Sequence, residues 1–267
     1  DFIIIAKPMK VFVLTENNAG AVTAAEHGLS YLIEHEGIRI LFDTGQSDLF
    51  VKNAAIMGVS LTDIDFIILS HGHFDHGNGL EHLPGGTLIC HPGCFINRYR
   101  GSDHSYIGLK FSKEELESRF NLITSEEPYR ISGSAVFAGE IPRITPFESQ
   151  KTSFLLEDGT PDFVADDSAL FFTLPQGIFI ITGCGHAGIV NTIEHALNVT
   201  GAEKIFGIMG GFHLKEDDRQ TNETIRHLAK TKATHIIPSH CTAGPALARF
   251  RTTFDSRPVR TGDILTF

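Results

Sequence analysis

Apolar positions recur along this chain at two periods, and the change from one to the other marks its organisation. In the first part the period is close to two. Lys10 to Thr15, Leu29 to His35 and Ile38 to Asp43 are short, rich in β-branched and aromatic residues, and separated by Gly or Asn, as β-strands are. Phe2 to Ala6 reads as a further strand. Ser47 to Met57 carries Leu49, Phe50, Ala54 and Met57 at helical spacing, with Ser47 or Asp48 placed to cap it. Asp65 to Leu69 is a short buried strand running directly into Ser70-His71, and Thr87 to Cys90 is another.

Gly93 to Ser125 is less regular. Its one clear helix, Ser112 to Phe120, starts with Ser112 and Glu115 in capping-box positions. The segment as a whole, about 93–125, reads as an insertion able to cover a site as a lid. Strand-like pieces follow at Ala135 to Ala138, Ser153 to Leu156, Ala169 to Thr173 and Ile178 to Thr182. From Gly188 the rhythm becomes alternation. Ile189 to Val199, Asn222 to Lys230 and Ala246 to Phe250 are helical, while Lys204 to Met209, Thr234 to Pro238 and Ile264 to Phe267 are strands. Early strands, then strands alternating with helices, predict an α/β fold of two sheets packed face to face with helices outside. No repeat, low-complexity tract or linker interrupts the chain, so 1–267 reads as a single domain.

Composition narrows the function classes. A chain of 267 residues, 42% hydrophobic, has enough material for a large core. No segment reaches the roughly 18 uninterrupted apolar residues of a membrane span. Phe2 to Ala6 is too short for one and lacks the small-residue cleavage pattern of a secretory signal. The net charge of −10, with acids and bases interspersed, repels a phosphate backbone and argues against nucleic acid as a partner. Four cysteines in a chain this long do not make a disulfide scaffold, and a reducing cytoplasm fits them best. The 14 histidines are the figure out of line.

Four of the site-forming residues fall in His71-Gly72-His73-Phe74-Asp75-His76. In an extended loop, residues i and i+2 point the same way, so His71 and His73 can grip one ion from one side. Asp75 and His76 continue the turn and can offer a carboxylate and an imidazole to a second ion. Gly72 and Gly77 permit the tight path. Imidazole with carboxylate suits zinc, iron or manganese, zinc being the commonest choice.

Asp43-Thr44-Gly45 after a strand, followed by Leu69-Ser70-His71-Gly72-His73-Phe74-Asp75-His76-Gly77, resembles the metallo-β-lactamase superfamily. The resemblance implies an αββα sandwich of two mixed sheets, helices on the outer faces, and a two-metal site at one sheet edge. Thr182-Gly183-Cys184-Gly185-His186-Ala187-Gly188-Ile189-Val190-Asn191, Gly210-Gly211-Phe212-His213-Leu214 and Pro238-Ser239-His240-Cys241-Thr242 are similar to one subgroup of it. That subgroup includes enzymes called 7,8-dihydropterin-6-yl-methyl-4-(β-D-ribofuranosyl)aminobenzene 5'-phosphate synthase.

His186, His213 and His240 each lie just past the end of a strand, and would converge on the edge carrying His71 if those strands run the same way. His186 and His240 are therefore expected as further ligands. His213 reads as a seventh ligand or a proton donor near the leaving group, the second being favoured. In the wider superfamily a third histidine precedes a strand and a bridging Asp follows it. This chain has Asp166 and Asp167 near the first place and Cys184 at the second, where a thiolate ligand and a small buried residue are both open readings. Glu140 and Arg143 are either an exposed ion pair or recognise a substrate ring and phosphate. Cys90 and Cys94 read as structural.

No Gly-x-Ser-x-Gly elbow or Walker-type loop competes with the metals, so two divalent ions would carry the chemistry, lowering the pKa of a water that Asp75 orients. The expected activity is metal-assisted hydrolysis of a small ester or phosphoester, or, as the subgroup implies, transfer of a dihydropterin methyl group with loss of diphosphate. A di-iron redox protein is a third reading, weakened because such relatives carry Glu where this chain has His73. A non-enzymatic ligand-binding module is a fourth.

Overall fold

A computed structural model describes residues 8–267; the strand expected at Phe2 to Ala6 lies outside them. The strands are β1 (Lys10–Thr15), β2 (Ser30–His35), β3 (Ile38–Phe42), β4 (Phe66–Ile68), β5 (Thr87–Cys90), β6 (Arg98–Arg100), β7 (Asn121–Thr124) and β8 (Tyr129–Arg130). They continue with β9 (Ala135–Phe137), β10 (Phe154–Leu156), β11 (Pro161–Asp162), β12 (Ala169–Leu174), β13 (Gly177–Thr182), β14 (Ile205–Gly211), β15 (His235–Ser239) and β16 (Ile264–Thr266). The α-helices are α1 (Leu49–Ile56), α2 (Phe74–Gly77), α3 (Lys113–Arg119), α4 (Ile189–Thr200), α5 (Arg219–Thr231) and α6 (Gly244–Thr253).

Two mixed sheets form the body. A seven-stranded sheet has the order β16-β1-β2-β3-β4-β5-β7, and a six-stranded one β15-β14-β13-β12-β9-β8. In the first, β3, β4, β5 and β7 are parallel; in the second, β13, β14 and β15 are. The alternation in the strands sorts their side chains into layers. Val11, Val13, Phe42, Leu170, Phe172, Phe179 and Ile181 meet between the sheets. Their neighbours Phe171, Ile178 and Ile180 turn outward under residues of α4, α5 and α6 such as Ile193, Leu228 and Phe250. Phe12, Leu14 and Leu41 turn outward on the other side, under Phe50 and Ala54 of α1 and Leu116 of α3. The result is the αββα sandwich the sequence implied. Among the described residues no helix is long and apolar enough to cross a membrane.

Segment 93–125 divides. Helix α3 opens on a complete Ser112–Glu115 capping box and packs on an outer face, and β7 is an edge strand of the larger sheet. Strand β6 instead joins β10 and β11 in a small third sheet. Here Phe74 N–H donates to the Ile107 carbonyl, laying the stretch after β6 beside the histidine turn. That turn is not extended throughout: His73 is extended, and Asp75 and His76 then sit on the single-turn helix α2. Its glycine is required by close approach, since a Cβ on Gly72 would lie 2.1 Å from the Cys94 carbonyl oxygen. Gly183 serves the other sheet in the same way, a Cβ there lying 2.0 Å from Ser70 Oγ.

Candidate metal centre

Parallel strands deliver their C-terminal ends to one edge, and the polar residues just beyond those ends meet there. Asp43 follows β3 with φ +57, a left-handed conformation uncommon outside glycine. Its wholly buried carboxylate accepts from Ser70 N–H (2.7 Å), Ser70 Oγ–H (2.7 Å) and His76 Nδ1–H (2.7 Å). The single hydroxyl proton of Ser70 is thereby used, so its oxygen accepts from His71 Nδ1–H at 2.9 Å. Both histidines are left with Nε2 lone pairs aimed into the site, the usual service of an outer carboxylate to a ligand imidazole.

His240, after β15, is fixed from the opposite sheet. Asn17 Oδ1 accepts from Gly28 N–H, which sets the amide's orientation, and lies 3.0 Å from His240 Nδ1. Nδ1 of His240 therefore donates and its Nε2 carries a lone pair. This Nε2 is 3.1 Å from Nε2 of His76. His71 Nε2 is 2.9 Å from His73 Nδ1, and Cys184 Sγ is 3.2 Å from His76 Nε2. Asp75 Oδ2 lies 3.4 Å from His240 Nε2 and 3.1 Å from Nε2 of His27.

The donor atoms fall into three sets, each within 4.8 Å: His71, Cys184 and His186; His76, Cys184 and His240; His27, Asp75 and His240. Cys184 belongs to two of them. His73 Nε2 and His186 Nε2 are buried without a hydrogen-bond partner, a costly state that a cation would relieve. Burial, with the neighbouring histidines, holds His71 and His186 well below the ordinary imidazole range, and burial with Arg98 takes His73 down to about 3. Burial would raise Asp75, but His76, His240 and His27 outweigh it and keep the carboxyl ionised. His76 differs: burial opposes its charge, yet Asp75 and Asp43 draw its value up to about 9. The neutral imidazoles of His71, His73 and His186 beside an ionised carboxylate are in the protonation states a metal requires, and His76 would release its proton on binding one; the residues fit such an ion.

Of the residues expected at the site, His71, His73, Asp75, His76, His186 and His240 are together. His213, after β14, stands beside them with its ring 4.2 Å from that of His186. Glu140 and Arg143 are not brought to the cluster. Arg143 donates to Ser149 Oγ and to the Phe163 and Val164 carbonyls, and the half-exposed Glu140 faces His91 at 3.8 Å. Asp166 and Asp167, near where a histidine was expected, hold backbone instead: Asp166 accepts from Gly72 N–H at 2.7 Å and Asp167 from Ala187 N–H at 2.8 Å. His27, Asn17 and Glu16 escaped the sequence reading because they lie at or beyond the end of β1, with no histidine motif around them. Glu16 is buried and accepts from His240 N–H.

Two adjoining cavities open on the cluster. One, about 200 Å³, lies over His73, Asp75, Cys184 and His240, with Arg100 on its wall. The other, about 320 Å³, runs from His186 and His213 to Phe163 and Lys151. Phe154, His186, His213 and Lys215 line both.

The model of the metallo-beta-lactamase superfamily matches residues 24–91. The chain is 35% identical to the uncharacterized protein MJ0448 of Methanocaldococcus jannaschii, covering 89% of this chain and 92% of that protein. It is 32% identical, over 97% of each chain, to the 7,8-dihydropterin-6-methyl-4-(beta-D-ribofuranosyl)-aminobenzene-5'-phosphate synthase of the same organism. Among solved structures it resembles Tm1679, described as a metal-dependent hydrolase of the beta-lactamase superfamily, with a TM-score of 0.83 and 26% identity over 96% of this chain and 98% of that one.

Proposed function

Since this chain belongs to the metallo-beta-lactamase superfamily, we propose that it is a metal-dependent enzyme whose His71, His73, Asp75, His76, His186 and His240 hold two divalent ions. The observation carrying this reading is the pair of facing lone pairs on His76 and His240, beside the unpartnered His73 and His186 nitrogens. Zinc suits the donor set best, and iron or manganese would also be accepted. Bound there, such ions lower the pKa of a water and polarise an ester or phosphoryl oxygen.

The protein's own groups do the rest. Asp75, ionised and within reach of His27 and His240, orients the attacking water. His213, half-buried beside His186, delivers a proton to the leaving group. The substrate is a small phosphate- or ester-containing molecule seated in the adjoining cavities. Glu140 and Arg143 make no contact in this scheme. A second reading, dihydropterin transfer with release of diphosphate, is favoured by the full-length likeness to the named synthase.

The test is to load the protein with zinc, count bound ions, and assay both reactions. Turnover of a simple phosphodiester or lactone without diphosphate release supports hydrolysis. Diphosphate release from a dihydropterin diphosphate and a ribofuranosylaminobenzene phosphate supports transfer. No bound metal, or no turnover of either kind, overturns the proposal.

A further inference from the structure

Two residues on the wall of the larger cavity are held in the left-handed region, Ser149 at φ +52 and Val164 at φ +56. For a β-branched residue this is a true outlier, and such strain persists only where the surroundings impose it. One side chain grips both. Arg143 donates its Nε–H to Ser149 Oγ at 3.0 Å and its Nη2 to the Val164 carbonyl at 2.8 Å and the Phe163 carbonyl at 2.9 Å. Because the Ser149 oxygen accepts from Arg143, its own proton is free to donate.

The charge of this wall runs against that of the molecule. A chain of net charge −10 places Lys151 and Lys215 around a cavity whose one acidic lining residue is Asp218. Lys215 is not a free surface lysine, for its Nζ donates to the Cys241 carbonyl at 3.2 Å and it lines both cavities. Phe154 walls the junction, with its ring 5.0 Å from that of His73 and 5.5 Å from that of His186.

We propose that this cavity is an anion subsite, in which Lys215, Lys151 and the Ser149 hydroxyl hold a phosphate of the substrate whose reacting end lies at the metal centre, with Arg143 as the residue that positions Ser149. It rests on the proposed metal-enzyme function and names the group that such an enzyme recognises. Two ammonium groups and one hydroxyl donor match a phosphate dianion, and the volume of about 320 Å³ leaves room for a ring against Phe163.

Inorganic phosphate and phenyl phosphate serve as probes, with binding to the zinc-loaded protein measured by calorimetry. The expected result is a loss of at least tenfold in affinity for both on Lys215→Ala with Lys151→Ala, retention on Lys215→Arg, and unchanged zinc content in each. Ser149→Ala and Arg143→Gln should give the same smaller loss, not additive in the double variant. Unaltered affinity in the lysine variants, with binding abolished by a chelator, overturns the subsite and leaves the metal-centre reading standing. Binding that survives the chelator yet falls in the lysine variants supports the subsite independently of the metals. Absence of binding to either probe overturns the subsite.

Discussion

His76 Nε2 and His240 Nε2 face each other 3.1 Å apart, while their other ring nitrogens already donate to Asp43 and Asn17. Two lone pairs at that distance repel unless a cation lies between them. A proton is one answer, favoured by Asp75 and Asp43, which draw His76 up to about 9 against its burial; a metal ion is the other. Zinc should therefore displace a proton at pH 7 and stabilise the fold. At a free concentration about 100 times the dissociation constant the gain is about 2.7 kcal/mol, a rise of several degrees in Tm. Thermal melts with zinc and with chelator check this, and His240→Ala should abolish most of the difference.

Asp43 is the keystone of the same arrangement. Asp43→Asn keeps the shape but replaces one accepting oxygen with a donor, setting it either against Ser70 N–H or against both Ser70 Oγ and His76 Nδ1. Metal affinity should fall about 10- to 100-fold with little change in the far-ultraviolet circular dichroism. Competition against a metallochromic chelator reads the loss, and wild-type affinity in the variant would refute the role.

The sequence exposed most of the fold because both faces of the central strands alternate cleanly between two apolar layers, as with Phe171 and Phe172. It exposed the histidines because their spacing is local. Strands β6, β8 and β11 were hidden, being two or three residues long and so too short to show an alternation, and β6 also pairs with β10, a strand far away in the chain. Arg143 misled for a related reason: its charge is visible in the sequence, but the carbonyls that consume its donors arrive some twenty residues later. His27 lacked any signal of its own, since only folding brings it to Asp75.

Asp167 supplies a pH dependence. Burial raises its carboxyl to about 7 against the pull of the Ala187 amide and Arg143, and one of its oxygens has no partner. Unfolded, the group titrates near 4. Between those values the folded protein keeps a proton that the unfolded chain has released, so stability falls as pH rises from about 4 to 7 and levels off above. The loss amounts to a few kcal/mol. Asp167→Asn should flatten that slope and stabilise the protein at pH 8. Urea midpoints of chelator-treated protein at pH 5, 6.5 and 8 measure it; parallel slopes in variant and wild type would contradict the assignment.

Asp166 joins the histidine turn to the small third sheet. One of its oxygens accepts from Gly72 N–H, between His71 and His73, and the other from Arg98 Nη2 at 2.8 Å. Arg98 is buried and its other acidic neighbour, Asp162, stands off at 3.4 Å. Removing Asp166 therefore strands a buried guanidinium and an amide together. Asp166→Ala should cost about 3–5 kcal/mol, the range for breaking a buried ion pair from one side. Arg98→Met leaves Asp166 bonded to Gly72 and should cost less. Because the two residues share one interaction, the double variant should be less destabilised than the sum of the two single changes. Urea unfolding of the three variants closes the cycle. Simple additivity would mean that Asp166 steadies the His71–His73 turn without help from Arg98.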